Sequence, residues 1–253
     1  MFKRTLLKIY FQLKSKRFTF KNTKLNYIYQ KQNDSSNLVV VFSAFPRTGY
    51  EATYNYLRTL ENTKTNKLFI LDNFGYQKRG CYYLGENGKL NVQEAVVQLI
   101  EKIQKENSYT TTVCVGSSKG GYAALMFGSL IGADYVIAGA PQYFLGNYLT
   151  DNPIKDPILR SIAGNNDQAS VTELNELLPN LIKNNSHFKK VYLHYSQFDH
   201  TYPEHIKSLI DDLNDINVPI EIDQQDYQIH QEIRYWFPDF LVKSLDNIFY
   251  KDS

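Results

Sequence analysis

The stretch VCVGSSKGGYAAL, residues 113–125, sets two serines between glycines, after a β-branched run and before a helix-forming one. Gly116-Ser117-Ser118-Lys119-Gly120 reads G-x-S-x-G, the pattern of a serine nucleophile on a sharp strand-to-helix turn. A serine there holds a strained backbone conformation, so the residues two before and two after it must be small. Gly116 and Gly120 meet that demand, and Gly121, Ala123 and Ala124 let the new helix lie close to a sheet. Its N-terminus turns backbone N–H groups and a positive dipole end toward whatever reacts with Ser118, which suits the turn to holding an oxyanion. Ser117 is the rival nucleophile but has no glycine two residues before it. The stretch fits neither G-x-x-x-x-G-K-[ST] nor G-x-G-x-x-G, so a phosphate-cradling loop is disfavoured and no cofactor is called for.

A serine hydroxyl is a weak nucleophile until a base takes its proton, and the base needs a third group to fix its tautomer. The chain has five histidines: His187, His194, His200, His205 and His230. Asp199 follows an apolar run at 190–195 and His230 follows another at 218–222, with one helical stretch between them. That reproduces the order serine, acid, histidine with each partner after its own late strand. His230 is the expected general base and Asp199 the expected acid, with Glu204, Asp223 and Asp226 as alternatives for the acid. His194 lies within a strand and reads as a core residue; His200 and His205 read as loop and helix-start residues. His200 and His205 are five apart and no H-E-x-x-H occurs, so a metal mechanism is disfavoured.

An oxyanion needs a second N–H beside that of Lys119, from the loop after an earlier strand. Val39 to Phe42 runs into Ser43-Ala44-Phe45-Pro46, which nominates the backbone of Ala44 or Phe45. Arg47, together with Asp72, Asn73, Lys78 and Arg79 in the next loop, is a candidate contact for a polar or anionic substrate. Ordinary loop charges explain these residues equally well. Some of the 20 tyrosines are candidates to line a carbohydrate-binding cleft.

Positioning these groups takes an alternation of strands and helices. Strands are expected at 18–20, 25–29, 38–42, 67–71, 111–115, 133–138, 190–195 and 218–222. Helices are expected around 50–60, from Asn91 with Val92, Val96, Leu99 and Ile103 on one face, after Ser118, at 203–213, and at 237–249 with Pro238 in the first turn. Residues 142–186 lose the alternation and suggest a helical cap inserted over one edge of the sheet. Repeated strand-helix units imply an α/β fold with a mainly parallel sheet and helices on both faces, whose chemistry collects at the carboxyl ends of the strands.

The 253 residues, 43% of them apolar, suffice for one core, and one domain is expected over 18–253 behind a basic segment at 1–17. Nine of the 28 Lys/Arg fall in residues 1–33, which have no Asp/Glu. That leaves 19 basic against 26 acidic residues, or −7, for the rest. Leu6, Leu7, Tyr10 and Leu13 can share one helical face among Arg4, Lys8 and Lys14, so contact with an anionic membrane surface is one reading of this segment and a solvated leader the other. Nucleic-acid binding is disfavoured, because no reader motif accompanies the basic end. Two cysteines, Cys81 and Cys114, form no disulfide framework, and no run approaches the length of a membrane span. With no convincing signal peptide, the cytoplasm is the expected compartment.

With these residues in view, the chain resembles the α/β-hydrolase superfamily over roughly residues 18–250, GSSKG being the most specific feature. LDNFGYQKRGCYYLG with VGSSKGGYAAL resembles bacterial surface-glycan proteins: the glycan O-acetyltransferases of the accessory Sec system and capsule-biosynthesis proteins of the XcbB/CpsF type. The resemblance implies acyl transfer or removal on an acylated sugar or glycoprotein, with Ser118, Asp199 and His230 at the matching positions. The alternative is a noncatalytic member of the fold acting as a binding or assembly subunit in glycan export.

Overall fold

The computed structural model describes residues 14–46 and 49–251, so most of the basic segment at 1–17, and Arg47, lie outside the described residues. Among the described residues, eight strands form one sheet: β1 (Lys16–Phe20), β2 (Thr23–Gln30), β3 (Asn37–Phe42), β4 (Asn66–Leu71), β5 (Thr111–Ser117), β6 (Tyr135–Gly139), β7 (Lys190–Ser196) and β8 (Ile220–Gln225). Their spatial order is β1-β2-β4-β3-β5-β6-β7-β8. β1 and β2 form an antiparallel hairpin, β2 runs antiparallel to β4, and every other pairing is parallel. Parallel neighbours need crossovers. Those containing helices are α1 (Asn91–Asn107), α2 (Lys119–Ile131), the group α3 (Leu145–Thr150), α4 (Asp156–Ala163) and α5 (Gln168–Asn185), and α6 (Lys207–Asp215); α7 (Ile233–Asp246) follows β8.

The central strands are apolar on both faces because both are covered. Leu38, Val40 and Phe42 of β3 join Cys114, Val136 and Val191 in a core shared with α1, α2 and α5. Val39 and Val41 join Val113, Val115 and Ile137 against Phe237 and Leu241 of α7 on the other side. α2 is buried from Lys119 to Ser129 and is the central helix of the first layer. Cys81 and Cys114 are both buried and unbridged.

The eight strands fall where apolar runs placed them, β6 and β8 each starting two residues later than expected. Two helical expectations are corrected. No helix forms at 50–60: Tyr56 has φ 60°, and the segment is pinned by Ala52 N–H to the Lys78 carbonyl and by side-chain bonds from Asn55 and Tyr56. Aromatic and β-branched residues there carry little helical preference to oppose those ties. α7 starts at Ile233, so Pro238 lies inside the helix and not in its first turn. Proline there cannot donate to the Arg234 carbonyl one turn back.

Asp72 is the second kind of correction. Asp72 ends up fully buried, its Oδ2 2.7 Å from the equally buried Lys119 Nζ, so it is closed to any substrate. The same carboxylate accepts the Cys81 and Tyr83 N–H groups, and the Lys119 ammonium faces the Tyr83 ring. One ion pair thereby ties the loop after β4 to the first turn of α2. Gly80 makes room for it: a Cβ there would stand 2.4 Å from Lys119 Nζ, and its φ of 113° suits glycine.

Removing one partner of a buried pair strands the other charge. Asp72→Ala is expected to cost about 3–5 kcal/mol in urea unfolding. The volume-conserving double change Asp72→Leu with Lys119→Met is expected to recover most of it. A wild-type unfolding midpoint for the single variant would contradict this account of the pair.

Candidate active site

β5 ends at Ser117 and α2 begins at Lys119, leaving Ser118 as the pivot at φ 53°, ψ −121°. That is a positive-φ conformation costly for a side chain with a Cβ, and the surroundings over-determine it. Ser118 N–H donates to the Gly139 carbonyl at 2.7 Å, and the Ser118 carbonyl accepts from Tyr122 N–H. A Cβ on Gly116 would meet the Gly120 backbone at 2.3 Å, and one on Gly120 would meet the Phe42 carbonyl oxygen at 2.7 Å. The glycines of the motif are therefore required by contact with backbone.

Ser118 Oγ lies 3.0 Å from His230 Nε2, and His230 Nδ1 lies 2.7 Å from Asp199 Oδ2. Asp199 is placed by the turn after β7, where its N–H bonds the Ser196 carbonyl, and His230 by the segment between β8 and α7. Burial raises the Asp199 carboxyl, but hydrogen bonding and charge from His230, the Thr201 N–H and the charge of His200 together hold it below the ordinary carboxylate range. An ionised Asp199 makes Nδ1 the protonated nitrogen, which leaves Nε2 bare to accept from the serine hydroxyl.

Ser117 faces the opposite way: its Oγ pairs with Tyr56 OH in a half-buried contact, out of the serine–histidine line. Among the alternative acids, Asp223 Oδ2 pairs with His194 Nδ1 at 2.6 Å, Asp226 is reached by Gln197, and Glu204 stands 3.9 Å from His205. His194, expected in the core, is fully buried among Tyr227, Phe237 and Phe240. His200 lies 3.2 Å from Asp199 Oδ1, a contact that its loop position did not announce.

The Lys119 N–H opens α2 and has no acceptor within the helix. Of the two candidates in the β3 loop, Ala44 is the one the structure removes: its N–H donates to Asn55 Oδ1 at 2.9 Å and is not available to an oxyanion. Phe45 N–H makes no hydrogen bond among the described residues. The Arg79 guanidinium sits over the Phe45 ring, 4.7 Å from its centroid, with Nη2 3.4 Å from the Pro46 carbonyl and Nε buried without a partner. This brings Arg79 beside the loop of the expected oxyanion donor. Asn73 accepts from Asn26 at 3.3 Å, and Lys78 is exposed opposite Glu51 at 3.7 Å, neither bonded to the serine–histidine pair.

Gln142 was missed. Its Nε2 donates to Ser118 Oγ at 2.9 Å although the residue is fully buried. The available signal was its place just after Gly139-Ala140-Pro141, at the carboxyl end of β6 beside β5.

No protein-family model matches the chain, and no curated protein matches its sequence. Solved structures do. The capsule O-acetyltransferase of Neisseria meningitidis serogroup A is similar at 22% identity and a TM-score of 0.75, over 91% of this chain and 94% of that one. A glycosylation-associated protein complex from Streptococcus agalactiae gives 19% and 0.75, over 94% of this chain but 47% of the other. FphF, a fluorophosphonate-binding serine hydrolase of Staphylococcus aureus, gives 14% and 0.62, over 90% and 97%. The chain has the α/β-hydrolase fold.

His205 supplies a pH test of this region. Burial, with smaller effects from His200 and Lys155, lowers its pKa to about 4. Between that value and the ordinary histidine range the unfolded chain binds the extra proton, so stability rises with pH there and is lost as pH falls from about 6.5 toward 4. His205→Gln, which can still accept the Phe144 N–H, is expected to flatten the denaturation midpoint across that window. An unchanged pH slope in the variant would refute the assignment.

Proposed function

We propose that the protein is a serine acyltransferase or acyl hydrolase acting on an acylated glycan or glycoprotein. The observation that carries this reading is the unbroken line from Ser118 Oγ to His230 Nε2 and from His230 Nδ1 to Asp199, at 3.0 and 2.7 Å, on a strained turn at the N-terminus of α2. In the first half-reaction Ser118 Oγ attacks the acyl carbonyl as its proton passes to His230 Nε2. Asp199 keeps the imidazole oriented and stabilises the imidazolium. The carbonyl oxygen, now an anion, sits against the N–H groups of Lys119 and Phe45 at the positive end of α2. Collapse expels the leaving group with the proton from His230 and leaves an acyl ester on Ser118.

The second half-reaction mirrors the first. An acceptor hydroxyl gives its proton to His230, attacks the acyl ester, and Ser118 Oγ leaves with that proton. A sugar hydroxyl completes transfer and water completes hydrolysis. The likeness to a capsule O-acetyltransferase and to a glycosylation-associated complex supports a glycan as the other substrate. The meningococcal enzyme was also solved as a histidine-to-alanine variant with CoA, which supports a coenzyme A thioester as donor here.

Fluorophosphonate labelling tests the nucleophile. Wild type and Ser117→Ala are expected to label, Ser118→Ala to lose all labelling, and His230→Ala to label at least about a hundredfold more slowly, as expected for loss of the general base. A folded wild type that resists the probe, or labelling that survives Ser118→Ala, would overturn the proposal and favour a binding subunit.

A further inference from the structure

The molecule carries its charge as two opposed poles. Residues 16–31, which hold the β1–β2 hairpin, include Lys16, Arg17, Lys21, Lys24 and Lys31, all exposed, and no Asp or Glu. Lys21 meets Glu94 at 2.7 Å, and the other four make no ion pair among the described residues. Residues 211–239, which hold β8 with parts of α6 and α7, have eight Asp/Glu against Arg234 alone, a net charge of −7. β1 and β8 are the two edges of the sheet, so the poles face away from each other across all eight strands.

The hairpin's own ladder sorts its side chains. Phe18, Phe20 and Tyr27 join the core layer of α1, whose Lys102 ammonium stands 5.8 Å from the Phe18 ring centroid. The register pairs Arg17 with Asn26 and Thr19 with Lys24, which puts this polar set on the opposite, outer face. Lysines on an edge strand block unwanted strand pairing. That role calls for charge on β1 alone, whereas Lys24 lies in β2, which is paired on both sides. Proteins that hold a polymeric anion combine a basic groove with open aromatic rings. Here the rings turn inward and the cations run the length of the ribbon, from the turn at Lys21 to Lys31 beyond the other end of β2, which suits a plane of charge. An anionic plane also repels the acidic pole, so contact is confined to the basic edge.

We propose that the outer face and free edge of the β1–β2 hairpin dock on a bilayer of anionic phospholipid. The attraction is electrostatic, because no large apolar side chain of the hairpin is exposed for insertion. Ser118 ends β5, four strand spacings or about 19 Å from β1, so docking by the hairpin leaves the candidate active site uncovered.

Co-sedimentation of the full chain with vesicles tests this surface. At about 0.1 M salt the wild type is expected to bind phosphatidylcholine vesicles containing about one-third phosphatidylglycerol, to ignore pure phosphatidylcholine, and to be released at about 0.5 M salt. Lys16→Gln, Arg17→Gln and Lys24→Gln together are expected to weaken partition about a hundredfold, while Lys16→Arg with Lys24→Arg keeps it within about twofold. All three positions are exposed, and an unchanged urea midpoint shows that the triple variant is folded. No binding of the wild type to anionic vesicles, equal binding to neutral ones, or full binding by the folded triple variant overturns the proposal. Retention of the wild type on immobilised heparin without vesicle binding also overturns it, and assigns the face to a polymeric anion. None of these outcomes alters labelling of Ser118, so the docking surface and the proposed function fail separately.

Discussion

The backbone at Ser118 is the constraint on which the rest of the molecule turns. A residue with a Cβ at φ 53° is unfavourable by itself, and it persists because β5, α2 and β6 all fix it. The Gly139 carbonyl takes its N–H, Gly116 and Gly120 pass within contact of other backbone, and the helix behind it is buried along most of its length. Any relaxation of that turn would have to move the centre of the sheet. Close-packed interiors resist such shifts, so the fold can hold a strained serine at its surface.

Three consecutive residues at this turn serve four different partners. Ser117 points back to Tyr56 and fastens the 50–60 segment, Ser118 faces His230 and Gln142, and Lys119 enters the core to meet Asp72. The Lys119 backbone N–H stays at the helix start while its side chain anchors the loop after β4. Since that loop includes Arg79, which stacks on Phe45, the buried ion pair links both sides of the expected oxyanion site. A lysine in the motif thus has a structural side chain and a backbone suited to chemistry.

The parts legible from sequence were those written in period and order. Apolar runs covered on both faces gave up their strands at once, and G-x-S-x-G with an acid and a histidine after successive late strands pointed to Ser118, Asp199 and His230, which the fold brings into line. What escaped depended on long-range partners. Asp72 looks like any loop aspartate until Lys119, 47 residues later, is seen to meet it. The 50–60 segment has helical spacing, yet bonds to residues 44, 78 and 117 hold it extended and turned. Gln142 carries no motif. His194 and Asp223 form a second histidine–carboxylate pair because they face each other across β7 and β8, a register no single strand reveals.

A strained serine, a bare imidazole nitrogen and a helix terminus together make one central claim: the acyl group rests covalently on Ser118 between donor and acceptor. The most direct measurement is to mix the protein with acetyl-CoA or an aryl acetate, quench in acid within the first turnover, and locate the acetyl group by mass spectrometry of the digested chain. The account predicts one acetyl group on the peptide spanning residues 113–125, at Ser118, that disappears when an acceptor is added. Product formation with that peptide unmodified throughout, or with the acetyl group on another residue, would contradict it.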